Sequence, residues 1–255
     1  MAQNSKIEWT DHTVNLWHGC TKVHEGCDNC YAETLARRWG NDIWGNDKPR
    51  KQIKSAFLDL DKYQDLAKKE GRMHRVFVGS MMDIFEKSMP MIDSKGSEIE
   101  GVDTRDLRDQ FFLNISNHKY DNLMFLLLTK RPSNINKYIP ESWFYVPPSN
   151  VMFGTSPVNQ STYDNLIKHM NHVHGQKFLS IEPQLGDIDL GPDCQVDWII
   201  QGGESGHGKR PFSLDWAVNM RRQCDEQKIP YFFKQIDKVQ QIPDQHLVRE
   251  TPWYK

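Results

Sequence analysis

Three cysteines stand close together in the first thirty residues: Cys20, Cys27 and Cys30, with six residues between the first two and two between the last two. Thiolates at this spacing can hold a metal centre from a single loop. The Cys27-Asp28-Asn29-Cys30 clip turns two sulfurs toward one point, and Cys20 closes the loop. On a four-iron cluster, three thiolates leave one iron without a protein ligand. Such an iron can chelate S-adenosylmethionine through its amino and carboxylate groups. Zinc prefers four ligands, and His12, His18 or His24 would complete a Cys₃His site. Spacing alone leaves both centres open; a metal-free trio is disfavoured because clustered thiols bind metal or react. The other two of the five cysteines are isolated. Cys224 reads as a packing residue in a helical stretch and Cys194 as a loop residue. An odd count in a chain that starts without an apolar leader argues against a disulfide scaffold.

The elements that must position this loop are legible as apolar runs separated by helical stretches. Strands are expected over 13–17, 75–79, 124–128, 151–155, 177–181 and 197–201, with a seventh over 231–233. Helices are expected over 29–39, 58–69, 104–117, 163–172 and 214–227. Near-continuous apolar strands alternating with helices predict an α/β fold with a parallel sheet covered by helices. The reading is a partial (β/α) barrel of six to seven parallel strands; a doubly wound open sheet is the alternative. Nothing rich in Gly, Pro or Ser marks a boundary, so residues 1–255 are expected to form one domain. Its irregular tail, from about 237 to 255, is expected to pack across the barrel.

Polar residues follow each expected strand, and a barrel gathers such positions at its C-terminal face. Lys130 and Arg131 can bind a carboxylate or phosphate. Glu182, before Pro183, can orient a hydroxyl or serve an inward ion pair. Glu204, behind two glycines that let backbone amides approach a ligand, can bind a polar substrate group or simply follow a tight turn. Arg210 is a candidate second anion contact.

With 32 Lys+Arg against 34 Asp+Glu, the formal charge is −2, so no global basic field grips nucleic acid. Two local patches are basic, 37–54 around Trp39 and Trp44, and 62–75; basic residues interleaved with aromatics suit base stacking. The longest apolar run, Leu123–Leu128, is far too short to span a membrane. Mean hydropathy is low at −0.70, but 8 Trp, 8 Tyr and 12 Phe argue against disorder. The expected location is the cytoplasm.

The segment Asn15–Glu33, NLWHGC…GCDNCYAE, resembles the radical S-adenosylmethionine signature of the spore-photoproduct-lyase-like branch. It departs in its first spacing, where that signature has three residues between the cysteines. From Lys6 to about Arg249 the chain resembles a family of phage-encoded three-cysteine-motif proteins. The matching segments are Lys6–Asp11, Gly19–Glu33, Leu128–Pro132, Ser180–Pro183, Gly202–Gly206 and Phe232–Gln235. The resemblance implies a radical-S-adenosylmethionine-like barrel with a [4Fe–4S] cluster on Cys20, Cys27 and Cys30. It implies Ser80 and Asp83 at the methionyl amine and Ser156 and Asn159 at the ribose. It also implies a reductant such as flavodoxin or ferredoxin and a host-cytoplasmic setting, where a nucleotide or nucleic-acid base is a reasonable substrate. The competing expectations are a zinc protein that binds nucleic acid or a partner chain, and an accessory subunit that keeps the cluster without the chemistry.

Overall fold

The computed structural model describes residues 2, 3, 5–192 and 194–253; the last two residues of the expected tail, Tyr254 and Lys255, lie outside the described residues. The strands are β1 (Ala2–Gln3), β2 (His12–Val14), β3 (Trp17–His18), β4 (Arg50–Gln52), β5 (His74–Val78), β6 (Pro90–Ile92), β7 (Glu98–Asp103), β8 (Leu123–Thr129), β9 (Val151–Thr155), β10 (Gln176–Ile181), β11 (Trp198–Gly202) and β12 (Tyr231–Gln235). The principal helices are α1 (Tyr31–Arg38), α2 (Ala56–Glu70), α3 (Thr104–Ser116), α4 (Ile135–Tyr138), α5 (Glu141–Tyr145), α6 (Gln160–Met170) and α7 (Leu214–Gln227).

The large sheet has the order β1-β2-β5-β8-β9-β10-β11-β12, and its last seven strands are parallel. Each new strand is added on the same side of the one before. The order never reverses, so the switch point of a doubly wound sheet does not arise. The sheet curls instead into a half-barrel.

Alternation along the strands sorts their side chains into two cores. On β8, Leu123, Phe125 and Leu127 face outward into a large core with Leu60, Phe111, Tyr163 and Met220 of the helices. Met124 and Leu126 face inward, with Trp9, Phe77, Met152, Phe178, Trp198, Ile200 and Phe232. Burial on both faces is why these runs are apolar throughout rather than alternating. Gly154 on β9 is required here: Phe178 lies across it where any Cβ would stand. The inward rows then change character toward the strand ends, running from Leu126 through Leu128 to Lys130, from Phe178 through Ser180 to Glu182, and from Phe232 to Lys234.

Helix ends carry their own signals. Asp103 caps α3 in a box with Asp106, Asn159 caps α6 in a box with Thr162, and Ser213 caps α7. The expected first strand is corrected. The run over 13–17 breaks at Asn15, and Trp17–His18 leaves the barrel for a second sheet ordered β3-β4-β6-β7. That sheet had no counterpart among the expected elements. Its strands are two to six residues long, largely polar and partly exposed, so they show no apolar run. The tail lies against the last two strands: Arg249 bridges to Phe232, Trp198 Nε1 donates to the Glu250 carbonyl at 2.9 Å, and Trp253 meets the Trp198 ring edge-on. Among the described residues no helix is long and apolar enough to cross a membrane.

Candidate functional site

A cavity of about 320 Å³ opens at the C-terminal ends of the parallel strands. Trp9 and Phe77, from the inner core, lie at its base side, and the segments after β2, β5, β8, β9, β10, β11 and β12 all contribute to its wall. Cys20, Cys27 and Cys30 line it together, as free thiols. Among the described residues no three His, Cys, Asp or Glu side chains are gathered as closely as a single metal ion requires.

The cysteine loop is held from several sides. Gly19 has φ +116° and lies against Arg50 and the Ile43 carbonyl, a conformation and an approach that a side chain would not allow. Two guanidinium groups then grip Thr21, the neighbour of Cys20. Arg50 donates from Nη2 to Thr21 Oγ1 at 2.9 Å, and Arg131 donates from Nη2 to the Thr21 carbonyl at 2.6 Å. Arg131 Nη1 also reaches Cys20 Sγ at 3.8 Å and Asp83 Oδ2 at 2.7 Å. Glu86 receives Arg50 in a two-pronged pair at 2.9 and 2.7 Å, with Arg131 at 3.6 Å. The Arg50 and Glu86 side chains are 0% and 2% exposed. Burial, with Asp83 and Glu86 nearby, pushes the Cys20 thiol up to about 12, and Arg131 works against that rise. As a free thiol Cys20 therefore keeps its proton; a bound metal would displace it.

Farther along the loop, Asn29 donates to Glu204 Oε2 at 2.9 Å, and Glu204 accepts both arms of Arg210. Arg210 also donates to the Glu25 carbonyl, and Asn159 Nδ2 to the Glu25 carboxylate. Tyr31 donates its hydroxyl to the Ser80 carbonyl at 2.7 Å. The buried Asn15 accepts from Met81 N and donates to Ser80 Oγ. These ties pin one loop to the ends of β5, β8, β9 and β11.

Compared with known protein families, residues 4–247 match one described as a protein of unknown function, DUF5131. The chain belongs to the DUF5131 family. No curated protein matches it, and no solved structure does.

In this DUF5131 chain the expected site residues divide. Cys20, Cys27, Cys30, Ser80, Asp83, Lys130, Arg131, Ser156, Glu182 and Glu204 all line the cavity. Asn159 and Arg210 do not. Asn159 is the cap of α6, its Oδ1 taking Thr162 N at 3.0 Å, and Arg210 is spent on Glu204 and the loop. Asp83 lines the wall with its carboxylate already receiving Phe85 N, Thr129 Oγ1, Lys130 N and Arg131 Nη1. Glu182 takes the ion-pair alternative, with Lys234 at 2.8 Å. Ser156 is 1% exposed and its Oγ has no hydrogen-bond partner.

Of the histidines weighed as a fourth ligand, His12 is bonded to His74 at 2.9 Å and stacked on Tyr63, and His18 stacks on Trp39. His24 belongs to the loop, where its Nδ1 caps Gly26 N. Arg50 and Glu86 went unread in the sequence because Arg50 counted as one charge of a basic patch. Half of that patch is consumed: Arg50 is buried, Arg37 pairs with Glu33, and Lys48 pairs with Asp42. In the second patch Arg72 and Arg75 pair with Asp11, which lies outside it. Trp44 lines the cavity, whereas Trp39 is exposed.

Proposed function

We propose that this DUF5131 protein is a radical S-adenosylmethionine enzyme acting on a nucleotide or a nucleic-acid base. One observation carries the reading: all three thiols of the loop face a single roomy cavity at the C-terminal end of a parallel half-barrel. A structural zinc site is closed by four ligands, whereas a centre that must bind a further molecule needs ligands beside open space. The donor set fits a [4Fe–4S] cluster: three soft thiols, no fourth cysteine on the wall, and a cavity within the 300–1,000 Å³ range of small-molecule sites. When bound, the cluster would supply the electron that cleaves S-adenosylmethionine to methionine and a 5′-deoxyadenosyl radical.

This chain's own part is binding and shielding. Cys20, Cys27 and Cys30 would hold the cluster, and Arg131 would donate to the Cys20 sulfur. Ser80 and Ser156 are hydroxyls on the wall for the cosubstrate, with Glu182 held beside them by Lys234. Trp9, Phe77, Met81 and Leu128 would keep water from its reactive end. A reductant such as flavodoxin or ferredoxin would deliver the electron from the host cytoplasm.

The rival reading, a Cys₃His zinc protein, now depends on His24, the one candidate histidine that belongs to the loop. Anaerobic reconstitution followed by iron and sulfide analysis decides between them. About four irons per chain, with 5′-deoxyadenosine released after reduction in the presence of S-adenosylmethionine, is the expected result. A colourless, zinc-loaded protein would overturn the proposal in favour of the zinc reading, and a brown protein inert to S-adenosylmethionine in favour of an accessory subunit.

A further inference from the structure

Charge on the cavity wall does not cancel. Among the ionised side chains lining it, Lys22 pairs with Glu33 at 3.2 Å, Arg131 with Asp83 at 2.7 Å, Lys234 with Glu182 at 2.8 Å, and Glu204 with Arg210 at 2.6 Å. Two lysines on the wall, Lys130 and Lys238, make no ion pair among the described residues. Lys130 continues an inward row of β8, and its backbone N donates to Asp83 at 3.3 Å. Lys238 sits at φ +68°, a left-handed conformation uncommon for a residue with a side chain. Asp237 holds it there by accepting from Val239 N at 2.8 Å and Gln240 N at 2.7 Å, and is itself clamped by Lys209 at 2.7 Å. Strain of this kind persists where the surroundings enforce it, and it recurs at ligand clamps. Lys238 is exposed to solvent; partial desolvation and the neighbouring Lys234 hold its pKa below the ordinary lysine value, against the opposite pull of Glu182.

We infer that this cavity binds a phosphate-bearing ligand of the nucleotide class, with Lys130 and Lys238 as its phosphate contacts. Two unmatched ammonium groups in a concave site focus a positive potential and suit a phosphate monoester, which carries nearly two negative charges at neutral pH. A carboxylate would answer only one of them. The Trp9, Phe77 and Trp44 rings on the same wall offer apolar faces to a base. The inference sharpens the nucleotide reading above but does not depend on the cluster.

The test is calorimetric titration of the metal-free, full-length chain with adenosine 5′-monophosphate, with adenosine, and with a short single-stranded oligodeoxynucleotide. The monophosphate is expected to bind at least about 10-fold more tightly than the nucleoside. Lys130→Gln and Lys238→Ala should each remove most of that difference while leaving the thermal midpoint in place. Lys168→Ala, on the exposed side of α6, should leave it intact. Equal affinity for nucleoside and nucleotide, no binding of either, or indifference to both lysine substitutions would overturn the inference. An oligonucleotide that binds more tightly and displaces the monophosphate places the phosphate in a strand; the reverse order places it in a free nucleotide. Iron analysis of the same preparations separates the two proposals. Phosphate selectivity in a chain that takes up no iron refutes only the cluster, and four irons without phosphate selectivity refutes only this inference.

Discussion

Glu86 answers two guanidinium groups at once, and the effect is felt at Cys20. Removing it leaves Arg50 as a fully buried charge whose strongest partner is gone, so Glu86→Ala should cost about 3–5 kcal/mol in urea unfolding. A loss below about 1 kcal/mol would mean that the carbonyls of Ile43, Gly45 and Lys48 suffice for Arg50. Asp83 belongs to the same cage. Its carboxylate is filled by four donors, so Asp83→Ala is expected to free Arg131 and lower the iron retained per chain after desalting, rather than only weaken S-adenosylmethionine binding. The cysteines divide cleanly by place. Cys30→Ala should abolish iron retention, whereas Cys224→Ala, on the buried face of α7, should keep it; equal loss from both would end the three-cysteine assignment.

At the scale of elements, capping decides what Asn159 does. Its carboxamide holds the first turn of α6, so Asn159→Ala should lower stability by about 1 kcal/mol with S-adenosylmethionine affinity unchanged. Loss of affinity at unchanged stability, measured by paired unfolding and binding titrations, would return Asn159 to the ligand. The longer helices were well marked because their apolar spacing and ends are local signals; α4 and α5, four and five residues long, had no counterpart among the expected helices. α7 runs over the expected 214–227, α3 ends one residue short of expectation, and α6 starts three residues early, at its cap. The four-stranded sheet has no such signature. Trp17–His18 joins it because of what Arg50–Gln52 offers across the gap, a partner 33 or more residues away along the chain.

The whole molecule carries a pH dependence with a definite sign. His74 Nε2 meets Glu70 at 2.8 Å and so keeps a hydrogen there. Its Nδ1 then accepts from His12 Nε2, and His12 Nδ1 is left buried with no partner. Burial, then the neighbouring His74, brings His12 down from 6.5 to about 4; His18 and His24 fall to about 4 mainly by burial. Between pH 6.5 and 4 the unfolded chain therefore binds more protons than the folded one. Stability should fall as pH drops through that window, by up to about 1.4 kcal/mol per pH unit for each such histidine. Urea midpoints from pH 7 to 4.5 test this, and His12→Gln should make the slope shallower. A slope identical to wild type would show that His12 protonates without opposition.

Local composition determined the seven parallel strands, the main helices and the clustered thiols, because apolar runs, caps and cysteine spacing are all written within a few residues. The strand-end positions Lys130, Ser156, Glu182 and Glu204 were legible for a related reason: parallel strands in a barrel bring their C-terminal ends to one face. The tertiary structure alone decided which of those side chains remain available. Whether Asp83 is free or saturated, whether Arg50 is a surface charge or a buried anchor, and whether Lys130 has a partner depend on groups 36 to 110 residues apart. A charge in a sequence has no neighbours; only the packed chain assigns it a counter-charge or leaves it without one.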